Sequence, residues 1–455
     1  MGDKDLRSTS KEIENPCEDL VIDVPDDLQT TLRPEICICH VPVNLRRLNE
    51  DAYTPRQISI GPIHHEKENL KGMETQKRRY FKEFCNRLPK EKLKMFRKDL
   101  ESAVKGCEVR IRNYYQDEAF KNFKDPKVFP NMIPNMILWD AVFIFELFLK
   151  TREYKRDQNR SQHKYKYDFI LGKPWLTAAI QRDLILLENQ LPFSILDELY
   201  RVAAKHVHIE ADCSSFLKLS CQYFENYKKR RSDPNDTLHF TDLVRFFWSC
   251  KHPEPNSVKT IKNLYRATRL HQAGLKLKPL QNQCLLDITL RKGELHVPCF
   301  EIEDNTECIL RNLMALEQCY YPDEAYICHY VKFLDFLVDV GEDADLLIKS
   351  EVIVNRLGES AAVAELLNKL CLEIVEVSSC YYDLATKLNA HSDSCWNQCW
   401  AYFRRTYFKN VWIGTGTVVG FIVLFITLFK FIQSFTRSSQ GSIASVTSVE
   451  FPFSM

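Results

Sequence analysis

The chain has 455 residues, of which 45% are apolar and 27% charged, a composition typical of a globular protein and not of a disordered one. The formal net charge of +1 excludes a whole-molecule field that would attract nucleic acid, so no nucleic-acid partner is predicted. The 13 glycines are few for this length, which favours helices and argues against a phosphate-binding glycine loop.

The chain opens with an acidic, aperiodic stretch at residues 1–30, which we interpret as a disordered leader. A globular helical domain is predicted over residues 31–395. It begins with a short strand at residues 36–39, where apolar positions alternate. The 17 cysteines have no regular spacing and no secretory signal sequence precedes them, so we expect reduced, mostly buried thiols in the cytosol.

Two amphipathic helices follow, through residues 70–84 and 93–111, because apolar residues recur there at steps of three and four. Pro89 separates them. Between Lys67 and Arg112 there are 15 Lys or Arg residues against 7 Asp or Glu residues. We interpret this surplus as the solvated faces of the helices, since no aromatic stacking platform lies among the charges.

The middle of the chain carries two apolar blocks. Residues 137–149 are too short to span a bilayer and include two carboxylates, so a buried core helix is predicted. A second buried helix is predicted at residues 180–187. The charged stretches 151–166 and 227–236 predict exposed loops, which are natural recognition surfaces.

A β-hairpin is predicted at residues 286–299, where apolar and polar residues alternate on both sides of Arg291-Lys292-Gly293-Glu294. Apolar stripes at helical spacing then predict helices at residues 309–316, 330–338 and 361–372. The fold class is therefore mainly α, with a small β-hairpin element.

A transmembrane helix is predicted at residues 411–430. Its first 19 residues are uncharged and would span roughly 28 Å as a helix, close to the ~30 Å of a hydrocarbon core. An aromatic and basic juxtamembrane segment at 396–410 and a Ser-rich flexible tail at 431–455 flank it. The alternative is a buried helix of a soluble protein. The residues placed in the span include Val411, Trp412, Gly416, Gly420, Phe421 and Phe429.

This pattern predicts a tail-anchored, single-pass membrane protein with its large domain in the cytosol. It leaves open whether the membrane is the plasma membrane or an endomembrane. Gly416 and Gly420 form a GxxxG pair, which allows close helix approach. One interpretation is a homodimer through this pair. The other is that the two glycines have no role in dimerisation, because glycine is common in membrane helices.

The search for chemistry finds no HExxH, CxxC, GxSxG or P-loop pattern. No catalytic residue, metal ligand or cofactor is therefore predicted. The remaining functional candidates are the pair His64 and His65, and Glu188, an acid after an apolar run whose pKa burial could raise. The structural alternatives are imidazoles hydrogen-bonded in a turn and a carboxylate that satisfies backbone at a helix end.

Several stretches together resemble a plant family catalogued as domain of unknown function 247, the UPF0481-type membrane proteins. SIGPIHH (59–65), METQKRRY (73–80) and LLENQLPF (186–193) carry the resemblance with LWDAVFIFELF (138–148) and the hairpin region. Ile63 and Glu66 depart from the family's usual aromatic residue and glycine around the histidines. The resemblance implies a plant membrane protein without assigned biochemistry, and a role of some members in pollen–stigma recognition implies a recognition function.

The leading hypothesis is accordingly a membrane-anchored interaction or recognition module that binds the lipid bilayer and an unknown protein partner, without catalysis. The alternative is an enzyme with an unrecognised site around His64, His65 and Glu188. A deep pocket that gathers these three residues would favour the enzyme. Their burial inside the fold would favour the interaction module.

Overall fold

The computed structural model describes residues 35–65, 67–120, 129–157, 165–207, 210, 213–228, 233–249, 259–281, 284–394 and 411–444. Within them the chain is mainly helical, as predicted, and contains two small sheets where a single β-hairpin was expected. The predicted leader at 1–30, the juxtamembrane segment at 396–410 and residues 445–455 lie outside the described residues.

The first half of the domain is a set of packed helices. The two predicted amphipathic helices are confirmed as α2 (Lys71–Cys85) and α3 (Leu93–Asn113), and the chain between them turns at Pro89. Their apolar stripes pack on the central helix α4 (Phe129–Asp157) and on α6 (Phe193–Ala204), which explains the three- and four-residue spacing. The helices of this half are α1 (Val43–Leu48), α2 (Lys71–Cys85), α3 (Leu93–Asn113), α4 (Phe129–Asp157), α5 (Pro174–Asp183), α6 (Phe193–Ala204), α7 (Phe216–Tyr223) and α8 (Phe240–Trp248).

Helix α4 is the core helix predicted from residues 137–149. Its part Met132–Arg156 is long and apolar enough to cross a membrane, but 83% of its most apolar window is buried inside the fold. The prediction of a loop at residues 151–166 is wrong up to Asp157, where α4 ends. Arg152 and Arg156 lie one turn apart there and both pair with Glu210, so the charged composition marks the outer side of a helix end.

The predicted helix at residues 180–187 is displaced towards the N-terminus: it begins at Pro174 and ends four residues earlier than predicted. Helix α5 ends at Asp183, and residues 184–187 form turns although their side chains are buried. The backbone of these residues is not helical, and hydrogen bonds from polar side chains take the place of the helical ones.

The predicted hairpin is confirmed as β2 (Thr289–Arg291) and β3 (Glu294–Pro298), which pair antiparallel. Lys292 and Gly293 have φ angles of 49° and 76°, the left-handed pair that a two-residue hairpin turn requires. Two parallel pairings were not predicted: β1 (Lys276–Leu280) with β3, and β4 (Phe300–Ile302) with β5 (Ile353–Asn355).

The predicted strand at residues 36–39 is wrong. Ile38 makes only an isolated bridge with Tyr115, because two consecutive N–H groups here share one carbonyl and do not alternate along a neighbouring strand. The N–H groups of Cys37 and Ile38 both donate to the Tyr114 carbonyl, and the Cys37 carbonyl lies 3.1 Å from Nε2 of His239.

The second half of the domain confirms the three later helix predictions, as α10 (Thr306–Tyr320), α11 (Tyr326–Leu337) and α13 (Ser360–Leu370). One continuous core of buried residues runs from Cys37 to Leu388 and joins both halves. The helices of this half are α9 (Ala267–Gln272), α10 (Thr306–Tyr320), α11 (Tyr326–Leu337), α12 (Gly341–Lys349), α13 (Ser360–Leu370) and α14 (Tyr382–Asp393).

In the part of the chain that the structure describes, twelve cysteines carry free thiols, and eight of these are buried. The expectation of reduced, buried thiols therefore holds for most of the described cysteines. It fails at Cys284, which is disulfide-bonded.

The last described helix, α15, covers Val411–Ala444. Its apolar part is described over Val418–Ser434, which is shorter than a full membrane span. The helix extends beyond the predicted end at residue 430 into the Ser-rich stretch. Gly416 and Gly420 are exposed, and an added Cβ would meet nothing within 4 Å at either, so the homodimer stays a prediction.

Candidate functional site

The motif LLENQLPF forms a turn that is buried inside the fold. Glu188 is 3% exposed, and Asn189 and Gln190 are fully buried. A buried turn has backbone groups that neither water nor a helix satisfies, and each unpaired group is costly. The side chains of the turn itself supply the missing partners.

Asn189 and Gln190 act as substitutes for backbone. The Asn189 amide donates to the carbonyls of Ile58 and Asp183 at 3.0 and 2.9 Å. The Gln190 amide donates to the carbonyls of Leu184 and Leu186 at 2.7 and 2.8 Å. These contacts explain why α5 stops at Asp183 while the chain stays buried.

The same turn holds the segment that leads into SIGPIHH. One carboxylate oxygen of Asp183 accepts from three consecutive backbone N–H groups, at residues 56–58. Asn189 Oδ1 accepts from the Ile60 N–H at 2.7 Å, and Asp140 on α4 accepts from the Gly61 N–H at 2.9 Å. The two motifs are thus hydrogen-bonded to each other. We call Asp140, Asp183, Glu188, Asn189 and Gln190 the polar cluster.

Gly61 is the point of closest approach between the motifs. Its φ angle is +73°, and a Cβ at this position would lie 2.5 Å from the carbonyl oxygen of Gln190. Both the left-handed backbone and the close backbone contact require glycine.

Glu188 is the acid of the polar cluster that contacts the N-terminal segment and both His40 and His64. Its Oε1 accepts from the Val41 N–H at 2.8 Å and lies 3.5 Å from Nδ1 of His40. Its Oε2 pairs with the Arg46 guanidinium and lies 3.4 Å from Nε2 of His64. Two donors, the Val41 N–H and the Arg46 guanidinium, and two imidazole nitrogens within 3.5 Å therefore surround one carboxylate.

Burial alone would raise the pKa of Glu188, but hydrogen bonds from His40 and His64 and the charge of Arg46 outweigh it and hold the pKa well below its usual range. Burial lowers the pKa of His64, because it disfavours the imidazolium more than Glu188 stabilises it. At neutral pH an anionic carboxylate thus faces a neutral imidazole. Acid catalysis by Glu188 would need the opposite shift.

His65 points to a different place from His64. It lines a cavity of about 700 Å³ between α2 and the start of α4, and neither His64 nor Glu188 lines this cavity or the second described one. The full lining of the first cavity is His65, Glu68, Lys71, Glu74, Arg78, Met132, Asn135, Met136 and Trp139.

The structure therefore brings two of the three sequence candidates together, His64 and Glu188, and separates His65 from them. Sequence reasoning missed His40 and Arg46, which lie more than 140 positions from Glu188 and have no local pattern that marks them. Among the described residues, no group of three or more His, Cys, Asp or Glu side chains is placed to hold a metal ion.

These features define a class of mainly helical proteins with an internal polar cluster and an appended apolar helix. A profile of the family DUF247, plant proteins of unknown function, matches residues 38–426. The chain belongs to this family.

Two relatives from Arabidopsis thaliana are named as UPF0481 proteins. The first is 27% identical over 442 residues, covering 90% of this chain and 87% of the relative. The second is 22% identical over 440 residues, covering 73% of this chain and 77% of the relative. No solved structure matches the chain.

Proposed function

We propose that this protein is a single-pass membrane protein whose helical domain faces the cytosol and binds a partner protein without catalysing a reaction. The surface of α15 carries the membrane part of the proposal. Twelve of its large apolar side chains are between 46% and 72% exposed. They are Val418, Val419, Phe421, Ile422, Val423, Leu424, Phe425, Ile426, Leu428, Phe429, Phe431 and Ile432.

These side chains point in every direction around the helix, because successive residues of a helix are about 100° apart. A surface helix of a soluble protein has one apolar stripe, whereas a helix that is apolar all round has to be buried. A bilayer would cover all sides at once, which a groove on a protein would not do.

The internal site supports a role without catalysis. His64 and Glu188 are each 3% exposed, and their contacts join parts of the fold. The ion pair between Glu188 and Arg46 holds the N-terminal segment in place, and a substrate would have to displace this segment to reach the carboxylate. Recognition at the surface of the domain is the function that remains.

Membrane anchoring is tested by extracting the full-length protein from plant membranes with alkaline carbonate. The variant Ile422→Arg/Phe425→Arg adds two charges to the apolar part of α15, each costing about 2.5–3.5 kcal/mol at the centre of a span. We expect the wild-type protein in the membrane pellet and the variant in the supernatant. Gln433→Arg/Ser434→Arg, with the same charges at the end of the apolar stretch, should remain in the pellet. A wild-type protein in the supernatant would contradict the proposal.

The cytosolic orientation is tested with the sequon at Asn235. This asparagine is exposed, so a glycosyltransferase in the lumen could reach it. We expect no glycosidase-sensitive mass shift after synthesis in the presence of microsomes. A shift that Asn235→Gln abolishes would place the domain in the lumen.

A further inference from the structure

The positive charge of the domain is concentrated in one segment of the chain, which the proposed function does not explain. The segment from Lys67 to Arg112 has a net charge of +8, so the rest of the chain carries −7. Solubility alone needs no such separation of charge. The asymmetry points to a partner of opposite charge for the exposed cations of this segment.

Nine cations on α2, on α3 and between them are exposed and form no ion pair with any residue that the structure describes. We call this set the basic face. It comprises Arg78, Arg79, Lys82, Lys90, Lys92, Lys94, Arg97, Lys98 and Lys105.

The acids nearby do not neutralise the basic face. Glu83 pairs with Lys150, and Asp99 lies 2.9 Å from Nε2 of His206. Both carboxylates are therefore engaged by other parts of the fold. Glu91 and Glu101 are the other acids between Arg78 and Lys105 and are exposed, so the surface keeps a large positive excess.

Helix α3 shows how this surface is built. Phe96, Leu100 and Val104 are buried against the core, so the opposite side of the helix faces outward. Met95 and Val109 on that outward side are 61% and 73% exposed. Cations interspersed with exposed apolar side chains are typical of a surface that lies on anionic lipid.

We propose that the basic face docks on the anionic phospholipid leaflet of the membrane in which α15 is anchored. This inference rests on the proposed membrane anchor. Anionic lipids attract cations within about one Debye length of the surface. The anchor keeps the domain close to the leaflet, so even a weak attraction per cation is effective.

The chain is long enough for this docking. Residues 394–410 lie between α14 and α15, and 17 residues span at most about 60 Å. A domain of this size has a radius of gyration of roughly 21 Å. A linker of this reach lets the domain turn above the bilayer and present much of its surface to it, and the charge favours the basic face.

The test is lysine acetylation followed by mass spectrometry on the full-length protein. It is reconstituted in nanodiscs of phosphatidylcholine alone or with phosphatidylserine added. In the anionic discs we expect acetylation of Lys82, Lys94 and Lys98 to fall roughly fivefold, which corresponds to about 1 kcal/mol per cation. The exposed lysines Lys262 and Lys387 should react equally in both discs.

A matched pair of variants separates the basic face from total charge. Lys90→Gln/Lys92→Gln/Lys94→Gln should restore acetylation of Lys98 in anionic discs. Lys262→Gln/Lys292→Gln/Lys387→Gln, with the same loss of charge elsewhere, should leave the protection intact. Ionic strength of about 1 M, at which the Debye length is about 3 Å, should abolish the protection.

Equal acetylation in neutral and anionic discs would overturn this inference and leave the anchor standing. Protection by added RNA or by an acidic peptide in neutral discs, without protection by anionic lipid, would also overturn it and assign the face to another partner. A protein that does not enter nanodiscs at all would overturn both the anchor and the docking.

Discussion

Glu188→Gln is the most informative substitution in the polar cluster. The carboxylate accepts from the Val41 N–H and pairs with Arg46, while His40 and His64 lie 3.5 and 3.4 Å away. An amide of the same shape offers one acceptor oxygen and one donor, so a donor–donor contact replaces one of these interactions. Arg46 would also lose its counter-charge.

The expected loss of stability follows from burial. Removing one partner of a fully buried ion pair costs about 3–5 kcal/mol. Because Arg46 is 24% exposed, water would stabilise part of its unpaired charge. We therefore expect the free energy of unfolding to fall by about 2–3 kcal/mol.

The assay is urea unfolding of the full-length protein in detergent, followed by tryptophan fluorescence. Glu198→Gln is the control, because the Glu198–Arg110 pair is 34% and 51% exposed and such pairs contribute at most about 1 kcal/mol. In a double-mutant cycle, Arg46→Gln combined with Glu188→Gln should cost less than the sum of the single changes. A Glu188→Gln protein as stable as the wild type would refute the structural role of Glu188.

Three further predictions concern the same region. Gly61→Ala should lower the free energy of unfolding by more than about 2 kcal/mol, because the alanine would be strained and would overlap the Gln190 carbonyl. Gly358→Ala is the control: its φ is +97° but the space around it is open, so it should cost only the backbone strain. Equal losses of stability in urea unfolding would contradict the close contact at Gly61. Burial lowers the pKa of His239 from its usual 6.5 to about 4, so its stabilising contribution should be lost as pH falls from 6.5 to 4, by at most about 3 kcal/mol. His239→Gln should flatten the pH dependence of unfolding in that interval, and an unchanged slope would contradict it. His64→Ala should reduce stability but, per folded molecule, leave the partners found by proximity labelling unchanged; a selective loss of partners would favour a direct role of His64 in binding.

The sequence predicted the elements whose signals are local. Helices α2 and α3 follow from apolar spacing, and the hairpin follows from alternation around a turn with Gly293. The core helix follows from its length. In each case the residues that determine the element are close to each other in the sequence.

The parts that were missed depend on specific side-chain contacts, several of them between distant residues. The helix predicted through residue 187 ends at Asp183, where the side chains of Asn189 and Gln190 bond to nearby backbone carbonyls and Asn189 also bonds to the distant Ile58. Apolar spacing does not reveal these contacts. Lys77 belongs to a helix whose cations were expected in solvent, yet it is fully buried between Glu74 and Asp140, 2.6 Å from each. The spacing of residues along a helix shows which face carries a charged side chain. It does not show whether an acid from another part of the chain pairs with that side chain in the interior.

Hydrogen exchange of the backbone amides of α15 tests the central claim most directly. The full-length protein would be measured in neutral nanodiscs, with the peptides that cover Val418–Ser434 compared with those of the exposed parts of the domain. If lipid surrounds the helix on all sides, these amides should exchange as slowly as those of the buried helix α4, because water does not reach them. Fast exchange throughout this helix, in a protein whose domain is otherwise protected, would contradict the account.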